Sequence, residues 1–204
     1  MPEDGRRRGR HQRDQLALAA ADWVIENGLS DLSLRRLAAG IGVSHRVLLY
    51  HFGSKDQLFQ AILRAARTRE RMRAVSAPEA PEVPQSTPEL LRRTWEYLSG
   101  PREHAFWRFY FEIHGLALQD PKRYPDVLHE GVHDWLTTLR DLLIRDGLPE
   151  ARAEAIATLL LGGFRGLMLD LLQTGERKRV DAGFELLAAT AQTLASGDAL
   201  GAAD

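Results

Sequence analysis

Apolar residues recur at helical spacing along almost the whole chain, and no stretch alternates in the manner of a half-buried strand. Leu16, Ala19, Ala20, Trp23 and Val24 form one stripe. Leu34, Leu37, Ala38 and Ile41 form a second, and Leu58, Phe59, Ile62, Ala65 and Ala66 a third. The pattern predicts an all-α fold of about nine helices. Asn27 and Gly28 mark a helix end, because glycine accepts the left-handed backbone of a C-terminal cap. Ser54, Lys55, Asp56 and Gln57 read as a capping box that starts a helix at Lys55. Prolines at 78, 81, 84 and 88 then remove amide donors and stop helical continuation. The chain therefore divides into residues 1–75, a proline-rich connection at 76–88, and a body from 89 to 204. Helices are expected in the body at 89–98, 101–118, 124–145, 149–173 and 180–195, with a frayed tail from Gly197.

Charge follows the same division. Residues 1–75 carry 14 Lys and Arg against 8 Asp and Glu, and the remainder carries 13 against 20. A basic first third on a chain of net charge −1 points to a polyanionic partner. Arg6, Arg7, Arg8, Arg10 and Arg13 read as an arm ahead of the first helix that could track a narrow minor groove. The chain has no cysteine, which excludes disulfides and thiolate metal sites and suits a reducing cytoplasm. No apolar leader opens the sequence, so a cytoplasmic location is expected. The most apolar stretch, 158–172, is broken by Gly162, Gly163, Arg165, Gly166 and Asp170 and does not read as a membrane span.

Residues 34–52 carry the main functional signal, two short helices joined by a tight turn. Ala38 is small where the helices would touch, and Gly42 permits the turn. Leu34, Leu37, Ile41, Val43, Leu48 and Phe52 supply the locking contacts. Ser44 can cap the second helix, leaving its first turn free to enter a major groove. His45, Arg46, Val47, Leu49, Tyr50 and His51 then face away from the apolar stripe. Arg46 suits a bidentate contact to guanine and Val47 a thymine methyl. His45 and Tyr50 suit bases or phosphates, while Ser33 and Lys55 sit at helix starts where a phosphate is favoured.

With these residues in view, 13–66 resembles the DNA-binding domain of TetR-family regulators. The resemblance rests on Asn27-Gly28, Ser33-Leu34, Leu37-Ala38, Gly42-Val43-Ser44, Leu48, Tyr50-His51-Phe52, Lys55 and Leu58. It implies a ligand-responsive dimeric repressor on a palindromic operator, with C-terminal helices forming a dimer seam and enclosing an effector pocket. It implies no enzyme and no cofactor. One position departs from the family: Leu49 stands where an aromatic residue commonly reaches the DNA backbone, and leucine donates no hydrogen bond.

In the body, the glycines at 162, 163 and 166 make sense where another helix packs closely. On the resemblance, Leu160, Gly163, Leu167, Leu171, Phe184, Leu187, Ala191 and Leu194 are expected at the dimer seam. Trp95, Trp107, Tyr110, Ile113, His114, Trp135, Leu139 and Phe164 are expected around an apolar effector cavity. A competing motif stands at His129, Glu130 and His133, the H-E-x-x-H spacing of a zinc hydrolase, with Glu150 and Glu154 downstream. Gly131 weakens the rigid helix such a centre wants, and no strand is available to present substrate. No metal is therefore expected.

Overall fold

The computed structural model describes residues 3–29, 32–76, 87–122 and 124–196. Among these it is all helical: α1 (Glu3–Asn27), α2 (Leu34–Gly40), α3 (His45–Phe52), α4 (Lys55–Ser76), α5 (Thr87–Leu98), a 3-10 turn (Pro101–Glu103), α6 (His104–Gln119), α7 (Pro125–Arg145), α8 (Glu150–Thr174) and α9 (Arg177–Ser196). No strand occurs among the described residues. The proline-rich connection falls outside the described residues from 77 to 86, as does the tail from Gly197. Pro88 stands in the first turn of α5, where a missing amide donor costs nothing.

The chain forms two compact units, residues 1–81 with 108–113, and residues 82–107 with 114–204. In the first unit α1 packs on α4, and the short pair α2–α3 is held against both. Ala20, Ala21, Val24, Leu37, Leu48, Phe52, Leu58 and Ile62 form its core. Asp22 on α1 accepts from Nε and Nη2 of Arg69 on α4 at 3.1 and 2.7 Å, a bidentate clasp across the helix pair. The middle of α6 belongs to this unit. Its Glu112 accepts from the Leu29 amide at 2.9 Å and so satisfies a backbone donor at the exit of α1.

One expectation is corrected here. The five N-terminal arginines do not precede the first helix but lie within it, because α1 starts at Glu3. Arginine, glutamine and glutamate are good helix formers, no proline interrupts residues 3–27, and two acidic residues open the helix where its dipole favours them.

In the second unit α8 packs on α7 and α9, and α5 packs on α9. Asp146, at the end of α7, accepts from the Thr87 amide at 3.2 Å and from its hydroxyl, which starts α5. Arg179 near the start of α9 donates to both oxygens of Asp170 on α8 and to Glu176. The hydrogen bonds from Arg179 hold the Asp170 carboxyl below the usual carboxylate range. By length and composition α8 would be able to cross a membrane. Its packing on two neighbours and its Arg152, Arg165 and Asp170 mark it as a core helix of this unit.

Gly53 joins α3 to α4 at φ 77°, ψ −51°, outside the left-handed helical basin that other residues occasionally enter. A Cβ there would also lie 2.7 Å from Oε1 of Gln57. Gly42 has φ 73° but open space around it. Gly53→Ala is therefore expected to destabilise the chain by about 1–3 kcal/mol, and Gly42→Ala by less. Denaturant titration of both variants checks the order.

Candidate nucleic-acid interface

The first unit presents α3 with one face uncovered. Ser33 Oγ accepts from the Arg36 amide at 3.1 Å and starts α2. The chain then turns through Gly42, whose amide bonds the Ala39 carbonyl at 3.2 Å, while the Val43 amide reaches Ala38 at 2.9 Å. Ser44 Oγ accepts from the Val47 amide at 3.3 Å and starts α3. Leu48 and Phe52 are fully buried beneath α3, which fixes its rotation. His45, Arg46, Leu49 and Tyr50 consequently lie exposed on the far side, Tyr50 at 84%. Val47 and His51 are half-buried at the edge of that face, and the Tyr50 and His51 rings meet edge-on at 5.1 Å. Ser33, Ser44 and Lys55 are exposed. Ser54 Oγ accepts from the Gln57 amide at 3.1 Å, so Lys55 occupies the first turn of a capped helix. Leu49 stands in the exposed row with a hydrocarbon side chain.

Three features of this unit were not apparent from local pattern. Gly40 closes α2 against the indole of Trp23, and a Cβ would fall 2.0 Å from Nε1. Arg36 lies over the same ring at 5.9 Å, and Arg13 lies over the Phe52 ring at 5.4 Å. All three depend on the crossing of helices distant in sequence.

The residues expected around an effector cavity divide between the units. Trp95, Trp107, His114, Trp135, Leu139 and Phe164 fall in the second unit, whereas Tyr110 and Ile113 fall in the first. Trp95 stacks on Phe184 at 4.7 Å, meets Phe164 edge-on at 5.4 Å and donates to Asp181 at 2.8 Å. Trp107 lies 5.7 Å from Phe164 and donates to the Leu98 carbonyl at 3.0 Å. Leu139 is buried, and His114, Trp135 and Phe164 are half-buried. Of the seam residues, Leu160, Leu171, Phe184 and Ala191 are buried within the single chain. Gly163 abuts Leu187, and Gly183 abuts Leu167, so these four join α8 to α9. Leu194 is half-buried near the end of α9. The open side of α8 instead carries Leu159, Gly162, Gly166 and Leu169.

His133 is exposed on α7, while the side chains of His129 and Glu130 lie outside the described residues. Glu150 and Glu154 are exposed at the start of α8.

Residues 17–62 match the family model for bacterial regulatory proteins of the tetR family. The fold is similar to a transcriptional regulator from Rhodococcus sp. Rha1, at TM-score 0.68 and 24% identity over 91% of this chain and 96% of that one. It is similar to a TetR-like transcriptional regulator from Rhodococcus sp. RHA1, at TM-score 0.61 and 25% identity over 91% and 97%. It is also similar to the multidrug binding protein EbrR complexed with imidazole, at TM-score 0.58 and 27% identity over 87% and 93%. No curated protein matches the sequence.

Proposed function

We propose that this chain, a DNA-binding transcriptional regulator of the TetR type, is a cytoplasmic homodimeric repressor that releases a palindromic operator when a small molecule binds its second unit. The observation that carries the reading is the capped helix α3, anchored by Leu48 and Phe52, with Arg46 exposed in its first turn. That is the geometry of a helix that enters a major groove N-terminus first. Arg46 reads guanine, Val47 and Leu49 make apolar contacts, and His45 and Tyr50 reach bases or phosphates. Ser33, Ser44, His51 and Lys55 hold the backbone. The dimer seam uses the open apolar side of α8, where Gly162 and Gly166 leave room for a partner helix. EbrR, a structural relative, has been crystallised with imidazole and with proflavin. By analogy the effector is a small, partly aromatic molecule held in the second unit near His114, Trp135 and Leu139. Its binding shifts the chain by differential affinity for two arrangements. The regulator acts without catalysis, and nothing in the comparisons favours the zinc-hydrolase reading of His129, Glu130 and His133.

Selection of bound fragments from random DNA tests the proposal. A two-fold symmetric site is expected, with half-site centres about 34–36 Å apart. Arg46→Ala is expected to cost about 1–3 kcal/mol and to relax preference at one position in each half-site. A uniform loss across all sequences would instead make Arg46 a phosphate contact, and an asymmetric single site would remove the dimeric operator.

A further inference from the structure

The two halves of α1 differ in chemistry. Ala17, Ala20, Ala21 and Val24 are buried in the core of the first unit, whereas Arg7, Arg10 and Arg13 stand three residues apart and exposed. Residues 5–13 hold five arginines and no acid. Like charges at this spacing on a helix repel one another. In the second unit such charges are neutralised, because Arg140, Arg177 and Arg179 each pair with a carboxylate. Among the described residues no ion pair holds Arg7, Arg10 or Arg13. The stretch also precedes residues 17–62, the part that matches the family model.

Its place in the unit follows from α4. The two helices run side by side in one direction: Asp22 meets Arg69, and earlier on both, Asp14 and Ala17 line one surface groove with Ala61, Arg64 and Ala65. Counting back fourteen residues from Asp22 and Arg69 reaches residue 8 of α1 and Lys55, where α4 starts. Arg7 and Arg10 therefore flank the level of Lys55, and Arg13 lies over Phe52 at the end of α3. A helix is about 10–12 Å across with its side chains, and a minor groove is about 6 Å wide. A helical stretch cannot enter that groove, but it can lie along the phosphates at its edge.

We propose that the first turns of α1 are a second DNA contact, in which Arg7 and Arg10 hold phosphates beside the one at Lys55. The inference rests on the reading of Lys55 as a backbone contact. The segment is helical before it binds, so little conformational entropy is lost on docking. Phosphate contacts carry no sequence information, so α1 supplies grip while α3 reads bases.

The test is the salt dependence of binding of the full chain to a 40-base-pair duplex of fixed mixed sequence. Arg7→Gln combined with Arg10→Gln is expected to make the slope of log affinity against log salt shallower by about 1.8 for each bound chain. Both arginines are exposed and glutamine is a good helix former, so the fold is kept. Gly9→Pro leaves every charge in place but stops the helix ahead of it, and is expected to lose about half as much slope. Three results overturn the proposal. An unchanged slope in the arginine variant, with a shallower one in Lys55→Gln, takes α1 off the DNA and leaves Lys55 on it. Unchanged slopes in both remove the Lys55 contact as well. A Gly9→Pro variant that binds as the parent does makes the arginines a flexible charged arm.

Discussion

Leu159→Glu combined with Leu169→Glu is expected to leave the chain folded and to make it monomeric. Both leucines are exposed, at 45% and 38%, so neither substitution buries a charge within one chain. With Gly162 and Gly166 they form one stripe along α8, at spacings of three, four and three residues. The opposite side of the same helix buries Ala153, Ile156, Ala157, Leu160, Leu161, Met168 and Leu171. In the proposed homodimer the second copy of the chain would cover that open apolar side. Leu186 on α9, 70% exposed, adds a further uncovered apolar side chain in this unit. An unpaired carboxylate forced into such a seam costs about 3–5 kcal/mol, so two per chain should weaken dimerisation by at least about a thousandfold. Loss of simultaneous contact with both half-sites should lower operator affinity by about a hundredfold or more. Sedimentation velocity gives the mass, circular dichroism the helix content and a binding titration the affinity. A double variant that remains dimeric would place the seam on a different face.

The same helix shows how far local pattern reaches. Pattern marks 158–172 as the most apolar stretch and its glycines as a place of close helix packing, and α8 contains both. Pattern does not say which side the chain itself covers. That is decided by α7 and α9, which pack on α8 and leave Leu160 and Leu171 buried, and by Trp95, which stacks on Phe184 of α9. Of the residues expected at the seam, Leu160, Leu171, Phe184 and Ala191 are buried within the chain, and Gly163, Leu167 and Leu187 lie where α8 meets α9. In the first unit much more was legible, because its chemistry is local. Ser33, Ser44 and Ser54 cap helices within three residues of themselves, and Gly42 adopts a positive φ demanded by its own turn. Gly40 was not legible, since its need to be glycine comes from Trp23, seventeen positions away on another helix. Nor was Glu112, whose partner amide is separated from it by 83 residues. The start of α1 went unread for a different reason. A run of arginines reads equally as a solvated arm or a solvated helix, and only the backbone separates them.

Trp95→Ala is expected to be among the most damaging single substitutions in the second unit, costing about 3–5 kcal/mol. The indole is 3% exposed and lies parallel to the Phe184 ring, with 7° between their planes. Its N–H donates to Asp181, whose other carboxylate oxygen accepts from Arg177 at 2.7 Å. Arg177 in turn donates to the Ser99 carbonyl at 2.9 Å, so one carboxylate ties α5 to the start of α9. Truncation removes the stacked ring, opens a void among Phe164 and Phe184, and leaves Asp181 one donor short. Trp95→Phe keeps most of the packing and loses only the hydrogen bond, so its cost is about 1–2 kcal/mol. The gap between the two variants measures how far Trp95 acts as core. A residue that only lines an open effector cavity would lose little stability on truncation, because no packed neighbour would be left without a partner. Chemical denaturation of both variants, with unchanged m-values, decides between these roles. A loss below about 1 kcal/mol for Trp95→Ala would return the residue to the cavity wall, and with it the aromatic cluster formed by Trp107 and Phe164.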